Sequence, residues 1–304
     1  MATINYYLNL NKNVQKLILR DIKIRTKKSY ATLAKKLKVT RGMVIKYVNG
    51  MHKIPLVKFF ILCNLAEIPT SKYSKLPLLE IRNKLKHIKI PKCNEKLAEF
   101  LGALYGDGCI TTNYAIAIGS NAISDKKYIL TVICPLFKSL FNVNPSIRFT
   151  GKNKSQILAM VYSKELQEFL VNNFGFPIGK KKNKITIPKK IIEKKALKIG
   201  FIRGVFDTDG GFHRHNPKSA KIEITSHSRK FLKEIFEVLK ELKLQPFMLQ
   251  KQVYVIAKSK IDEFFRVVRP HNPKHLYKYF KYKETGQVPR HKDIEYANID
   301  FFKT

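Results

Sequence analysis

Two stretches of the chain, FLGALYGDG at 100–108 and IRGVFDTDG at 202–210, align without a gap. Gly102 falls on Gly204, Gly106 on Thr208, Asp107 on Asp209 and Gly108 on Gly210. The two aspartates are 102 residues apart. Around each stretch the patterns run in one order: helix, strand, helix, strand, strand, helix. In the first unit KLAEFLGALYG reads as a helix and NYAIAIGS as an alternating strand. KKYILTVICPLFKSLF follows as a helix bent or divided at Pro135, then SIRFT and QILAMVYS as a strand pair joined by GKNK. SKELQEFLVNNF closes the unit as a capped helix ending at Gly175. The second unit offers KKALKIGFIRGVFDT, AKIEITS, SRKFLKEIFEVLKEL, FMLQ, VYVIAK and KIDEFFRVV in the same roles. A period of about 100 residues is too long for a solenoid repeat and indicates a duplicated domain.

Within each stretch small residues recur four apart, Gly102 with Gly106 and Gly204 with Thr208, on one helical face. That spacing lets two helix backbones approach closely. Two such helices packed together bring their C-terminal ends, and the aspartates on them, side by side. A carboxylate is unfavourable at the negative end of a helix, and two of them repel. The pattern makes physical sense when hard divalent cations fill the gap, because Mg²⁺ favours a few carboxylates with water and phosphate oxygens. Paired metals are suited to phosphodiester hydrolysis, where they activate water and stabilise the leaving oxygen. Asp107 and Asp209, with Gly106 and Thr208 beside them, are therefore the expected metal residues, and Mg²⁺ or Mn²⁺ the expected cofactor.

The charge points to the same substrate class. The chain has 304 residues, with 59 Lys and Arg against 22 Asp and Glu, a net +37. So large an excess implies a polyanionic partner, nucleic acid first. Residues 1–94 are the most basic part, with 21 Lys and Arg and three acids. No apolar run approaches the ~18 residues of a membrane span, and MATINYYLNLNKNVQK lacks the apolar centre of a signal peptide. A cytoplasmic, intracellular location without membrane contact is expected. Cys63, Cys93, Cys109 and Cys134 form no C-x-x-C pair, so neither a zinc site nor a disulfide frame is indicated.

The two motifs resemble those of single-chain LAGLIDADG homing endonucleases. The resemblance covers about residues 95–285 and extends to KKNKITIPKKI before the second motif and RPHNPKHLYKYFKY after the last helix. It implies an α+β fold of two pseudo-symmetric αββαββα-type units, with one motif helix from each at a central interface. It further implies two curved sheets forming a saddle over the DNA major groove, and a monomer that cuts both strands of double-stranded DNA. Asp107 and Asp209 become the metal-binding acids. Asp207 corresponds to the earlier acid of the motif, where the first unit has Tyr105, and is expected to be a packing or solvated group. Members often place basic or polar residues at the end of the strand after each motif. Here these positions are Ser120 and Asn121, and Ser226 and His227, so His227 is a candidate catalytic group, as is His213. Arg148, Lys221, Lys251 and Lys258 are expected on strands facing DNA. The same fold also serves RNA maturases, which would make intron RNA the partner, and regulators that bind DNA without cutting. Inteins carry similar endonucleases, but a chain beginning Met-Ala-Thr and ending Phe-Phe-Lys-Thr is not expected to splice.

Ahead of the repeats, SYATLAKKLKVTRGMVIKYVNGMHKIP resembles a helix-turn-helix of the phage-repressor type. Leu33 and Ala34 belong to its supporting helix, Thr40 caps the recognition helix, and Arg41, Lys46 and Tyr47 are expected to face DNA. The expected layout is an all-α helix-turn-helix domain and linker at 1–90, repeats at 91–190 and 191–290, and a tail at 291–304. Residues 69–94, broken by Pro69, Pro77 and Pro91, read as a linker with one short helix.

Overall fold

The computed structural model describes residues 3–73, 75–83, 88–181, 184–216 and 219–294. The chain divides into two compact units, Met1–Leu85 and Lys86–Thr304.

The first unit contains β1 (Thr3–Leu8), α1 (Lys12–Arg25), α2 (Tyr30–Leu37), α3 (Arg41–Val48), α4 (Leu56–Leu65) and β2 (Leu78–Asn83). Ser29 and Thr40 cap α2 and α3 by accepting hydrogen bonds from the Thr32 and Met43 amides. Between these helices Lys38 takes the left-handed conformation, φ 52°, that a glycine would adopt more easily. Leu33, Ala34 and Leu37 of α2 and Val44, Tyr47 and Val48 of α3 enter one core with Leu19, Ile22 and Phe59. The unit is not all-α. β1 and β2 pair antiparallel from Thr3↔Asn83 to Leu8↔Leu78, and β2 lies in the stretch expected to be linker. The rest of that stretch holds a 3₁₀ turn at Thr70–Tyr73, while residues 84–87 lie outside the described part. A six-residue strand whose strand partner is some seventy positions away leaves no local periodicity to read.

The second unit repeats one topology. α5 (Glu95–Asp107), β3 (Gly108–Ile110), β4 (Ala115–Asn121), a broken helix, β5 (Ser146–Thr150), β6 (Gln156–Tyr162) and α8 (Lys164–Phe174) make the first repeat. The broken helix is α6 (Lys126–Tyr128), a π-turn at Ile129–Ile133 and α7 (Cys134–Phe141). Its irregularity falls just before Pro135, which lacks the amide an unbroken α-helix would use there. After a short α9 (Lys189–Ile192), the second repeat runs α10 (Lys195–Asp209), β7 (Gly210–Asn216), β8 (Ser219–Thr225), α11 (Arg229–Glu241), β9 (Phe247–Met248), β10 (Gln252–Val255) and α12 (Lys258–Val268). α13 (Pro273–Thr285) follows. The sheets are antiparallel, with orders β3-β4-β6-β5 and β7-β8-β10-β9, the same arrangement twice. The fold is α+β in two αββαββα repeats. β3 and β7 are not legible as strands, because Asp-Gly at the end of an apolar helix reads as a helix stop, and here the strand begins on that glycine. KITIP forms no strand, and its Ile185 and Ile187 are buried.

The repeats share one core instead of building two. α5 and α10 cross at its centre so closely that a Cβ on Gly102 would overlap the Phe201 carbonyl oxygen, and one on Gly204 that of Glu99. Tyr105 packs edge-on against Phe176 and Phe201, and its hydroxyl donates to the Phe174 carbonyl at 2.7 Å. Arg203, 5% exposed, ties the two helices by donating to Glu99 (3.1 Å) and Glu95 (2.6 Å). Ile88 joins this core and the Lys89 amide bonds the Phe141 carbonyl, so the second unit begins before the expected residue 91. At the other end Ile294 is buried, and residues 295–304 of the expected tail lie outside the described part.

Candidate active site

α5 and α10 end side by side, each on an aspartate followed by a glycine in extended conformation that turns the chain into a strand. The Thr208 hydroxyl occupies the space beside Gly106 where a side chain would stand, and it donates back to the Gly204 carbonyl at 2.9 Å. The close fit of these two positions brings Asp107 and Asp209 to one cleft of about 710 Å³. Lys181, Glu223, Thr225, Ser226, His227 and Lys251 are among the other residues that line it. Asp107 also opens into a second cleft, of about 500 Å³, with Ser120, Asn121, Asp125, Gln156, Thr208 and Lys274.

Burial, the mutual repulsion of the two aspartates and one lysine set the electrostatics of the larger cleft. Withdrawal from water raises the pKa of Asp107, against the pull of Lys181. Asp209 is pushed up to about 7 by burial and then by repulsion from Asp107, with Lys181 again opposing. Lys181 donates to the carbonyls of Tyr105 (2.9 Å) and Gly106, closing the C-terminal end of α5 with a positive charge. Burial lowers its own pKa, against the two aspartates. Among the described residues no group of three or more His, Cys, Asp and Glu could hold a metal. Two carboxylates with water and phosphate oxygens suit Mg²⁺ or Mn²⁺ and do not suit zinc. The Gly106 carbonyl, expected beside the metal, is engaged by Lys181, and the Thr208 hydroxyl is engaged within its helix.

Asp207 is not solvated. It is 1% exposed, accepts the His271 amide at 2.8 Å, and leaves its Oδ1 without a partner. Burial pushes its pKa to about 7. Of the two histidines, His227 lines the larger cleft, whereas His213 stands on β7 with its ring over Gly211, away from both clefts. Burial and the field of Lys278 lower the pKa of His213. Ser120 and Asn121 line the smaller cleft and Ser226 the larger.

The expected nucleic-acid contacts separate by geometry. Arg41 and Lys46 are exposed on α3, but Tyr47 is 7% exposed and faces the core. Helical spacing puts Tyr47 on the face of Val44 and Val48, a place that the apolar pattern alone gives to Ile45. Arg148 lies on β5 over the ring of Tyr162, and Lys221 lies on β8 paired with Glu223. Lys251 lies in the turn before β10 and Lys258 opens α12, so neither is a strand residue. Four charged residues at the clefts are not singled out by the sequence: Lys181, Glu223, Lys274 and Asp125. The segments carrying the two lysines stand out there, but not which lysine turns inward.

Residues 196–264, from the second residue of α10 into α12, match the family model of the LAGLIDADG-like domain. The chain is 34% identical over 123 residues to the replication factor C small subunit of Methanocaldococcus jannaschii, covering 40% of this chain and 6% of that protein. It is 30% identical over 189 residues to an A-type ATP synthase subunit of Pyrococcus abyssi, covering 60% and 16%. The match thus spans a small part of either relative. Among solved structures, the homing endonuclease I-DmoI in complex with DNA and Ca is 17% identical, with a TM-score of 0.41 over 58% of this chain and 91% of that one. The N-terminal LAGLIDADG domain of DUF199/WhiA is 18% identical, with a TM-score of 0.42 over 61% and 86%. Among the described residues no helix is long and apolar enough to cross a membrane.

Proposed function

We propose that the protein is a site-specific, metal-dependent endonuclease that breaks both strands of double-stranded DNA, acting as a monomer with internal pseudo-two-fold symmetry. The observation that carries this reading is the pair Asp107 and Asp209, delivered by duplicated helices to one cleft in a chain of net charge +37. The two carboxylates would hold Mg²⁺ or Mn²⁺, which when bound would lower the pKa of water and polarise the scissile phosphate. Lys181 supplies a fixed positive charge beside the place where the phosphate would lie. His227, which lines the same cleft, can accept a proton from a water there. Arg148, Lys221 and Lys251 contribute contacts to DNA from the sheet side. Arg41 and Lys46 of the first unit extend the recognised site as a helix-turn-helix.

One observation favours a second reading. Lys181 already compensates part of the charge that would otherwise make the aspartate pair a liability without metal. The fold can therefore persist as a DNA-binding regulator that does not cut, or as a maturase bound to intron RNA.

The deciding experiment selects cleavable duplexes from a randomised library with purified protein in Mg²⁺ or Mn²⁺. Double-strand products that vanish with EDTA and in both Asp107→Asn and Asp209→Asn support the nuclease. Selective DNA retention with no product in any metal supports the regulator, and either aspartate variant cutting at the wild-type rate refutes the site.

A further inference from the structure

Asn272 is fully buried, and its amide is used on every side. Nδ2 donates to Asp125 Oδ1 at 2.7 Å and to the Asp207 carbonyl at 2.9 Å, and Oδ1 accepts the Lys274 amide at 3.1 Å. It therefore joins three pieces of chain: the end of motif helix α10, the loop after β4, and the start of α13. Asp125 completes the arrangement. Its Oδ1 also meets Lys274 Nζ at 2.7 Å, and its Oδ2 accepts the Ser124 hydroxyl at 2.6 Å.

The use of Asp125 is unusual for its place. It precedes α6 as Ser228 precedes α11, in the equivalent position of the other repeat. Ser228 spends its hydroxyl on capping, accepting the Phe231 amide. Asp125, a residue type that caps well, makes no capping bond and points its carboxylate at Lys274 instead. The side chains of Asp125 and Lys274 are only 4% and 15% exposed, and both line the smaller cleft with Asp107. Lys274 acts on Asp107 electrostatically, opposing the rise that burial gives its pKa. A lysine held by a buried carboxylate keeps its position, whereas a free one samples many rotamers.

We infer that Asp125 and Asn272 are positioning residues that hold the Lys274 ammonium beside Asp107, where it contacts the phosphate of one DNA strand. The inference rests on the endonuclease reading for its consequence but not for the placement itself, so two measurements separate them. The first is single-turnover cleavage at saturating protein on a duplex with its strands labelled differently. Asp125→Asn, which keeps the side chain's shape, and Lys274→Met each slow one and the same strand by roughly 10- to 100-fold, as misplacement of a group in a reacting cleft does. The double variant slows that strand no further, and the other strand keeps its rate. Equal slowing of both strands, additive losses, an unaffected rate or an unfolded Asp125→Asn each overturn the positioning role.

The second measurement is reductive methylation of the full chain, read lysine by lysine by mass spectrometry. Asp125→Asn and Asn272→Ala raise the labelling rate of Lys274 several-fold and leave Lys181 unchanged. If wild-type protein cuts neither strand, the endonuclease reading fails while the labelling still reports whether the clamp exists. Unchanged labelling of Lys274 removes the clamp whatever the cleavage result.

Discussion

The ammonium of Lys181 donates a hydrogen bond to the carbonyl oxygen of Gly106, the residue immediately before Asp107. One cation thus serves two electrostatic problems, the unpaired carbonyls at the end of α5 and the two carboxylates beyond them. Replacing it with Lys181→Met leaves both uncompensated. The metal-free protein should lose about 1–3 kcal/mol at pH 8, above the Asp209 pKa of about 7, and less at pH 5. Urea unfolding at the two pH values measures this. Millimolar Mg²⁺ should restore part of the loss at pH 8, because it supplies the missing positive charge.

Asp209 gives a second pH dependence. Its folded pKa, about 7, lies above the ordinary value of 3.8, so the folded state binds the proton more tightly than the unfolded chain does. The stability associated with that proton is complete below about pH 4 and is lost as pH rises through about 7. Asp209→Asn removes the titration. It should stabilise metal-free protein at pH 8 and change little at pH 4. A shift of this size caps the gain at about 4 kcal/mol, and exposure to the cleft reduces it. A variant no more stable than wild type at pH 8 would show that the carboxylate is not repelled.

At the helix crossing, Gly204→Ala places a methyl group against the Glu99 carbonyl oxygen and the Ala103 amide nitrogen, which are backbone and cannot rotate away. The helices must separate, at a cost of about 3 kcal/mol or more. The same separation moves Asp107 away from Asp209. Denaturation midpoints should fall, and any cleavage should fall further than the loss of folded protein explains. Gly42→Ala, with open space around its Cβ, is the control.

These residues show which parts of the molecule the sequence discloses. The crossing of α5 and α10 is legible because small residues four apart describe one helical face. The pairing of Asp107 with Asp209 follows from it, since each lies one residue beyond that face's last contact. Strand pairs such as SIRFT and QILAMVYS announce themselves by alternation and fall on β5 and β6. β1 and β2 do not, because they stabilise each other across the length of the first unit. Lys181 and Lys274 come from segments rich in lysine, where nothing local distinguishes a solvated side chain from one turned inward. Asp125 is hidden for the opposite reason. Asp at the start of a helix already has a sufficient local explanation, and its real partners, Lys274 and Asn272, are about 150 residues away.

The basic composition leads to a prediction about salt. Affinity for duplex DNA should fall linearly in log–log terms with salt concentration, losing about 10³-fold or more between roughly 50 and 200 mM. Fluorescence anisotropy on a labelled duplex gives the slope. A nearly flat line would remove nucleic acid as the partner. Lys46→Ala should reduce the slope by about one, as a lost phosphate contact does, while Tyr47→Phe should leave it unchanged because that side chain lies in the core.

The division at Leu85 allows the two units to be tested separately. Each has its own buried core, the first built on Leu19, Leu33 and Phe59 and the second on the α5–α10 crossing. A fragment from Lys86 to Thr304 should therefore fold. One starting at Pro91 should be less stable, because it lacks Ile88 in the core and the hydrogen bond from the Lys89 amide to Phe141. Both aspartates, both clefts and Lys181 remain in the fragment, so single-turnover cleavage at saturating protein should match the full chain. Affinity should not. Two tethered DNA-binding modules make the second contact intramolecular, and losing one weakens binding by roughly 10²–10⁴-fold. Footprinting should show a shorter protected stretch at the higher concentration needed. A folded fragment with the affinity and footprint of the full chain would mean that Arg41 and Lys46 do not touch DNA. A folded fragment that binds at saturation but does not cut would mean that residues 1–85 supply part of the active site.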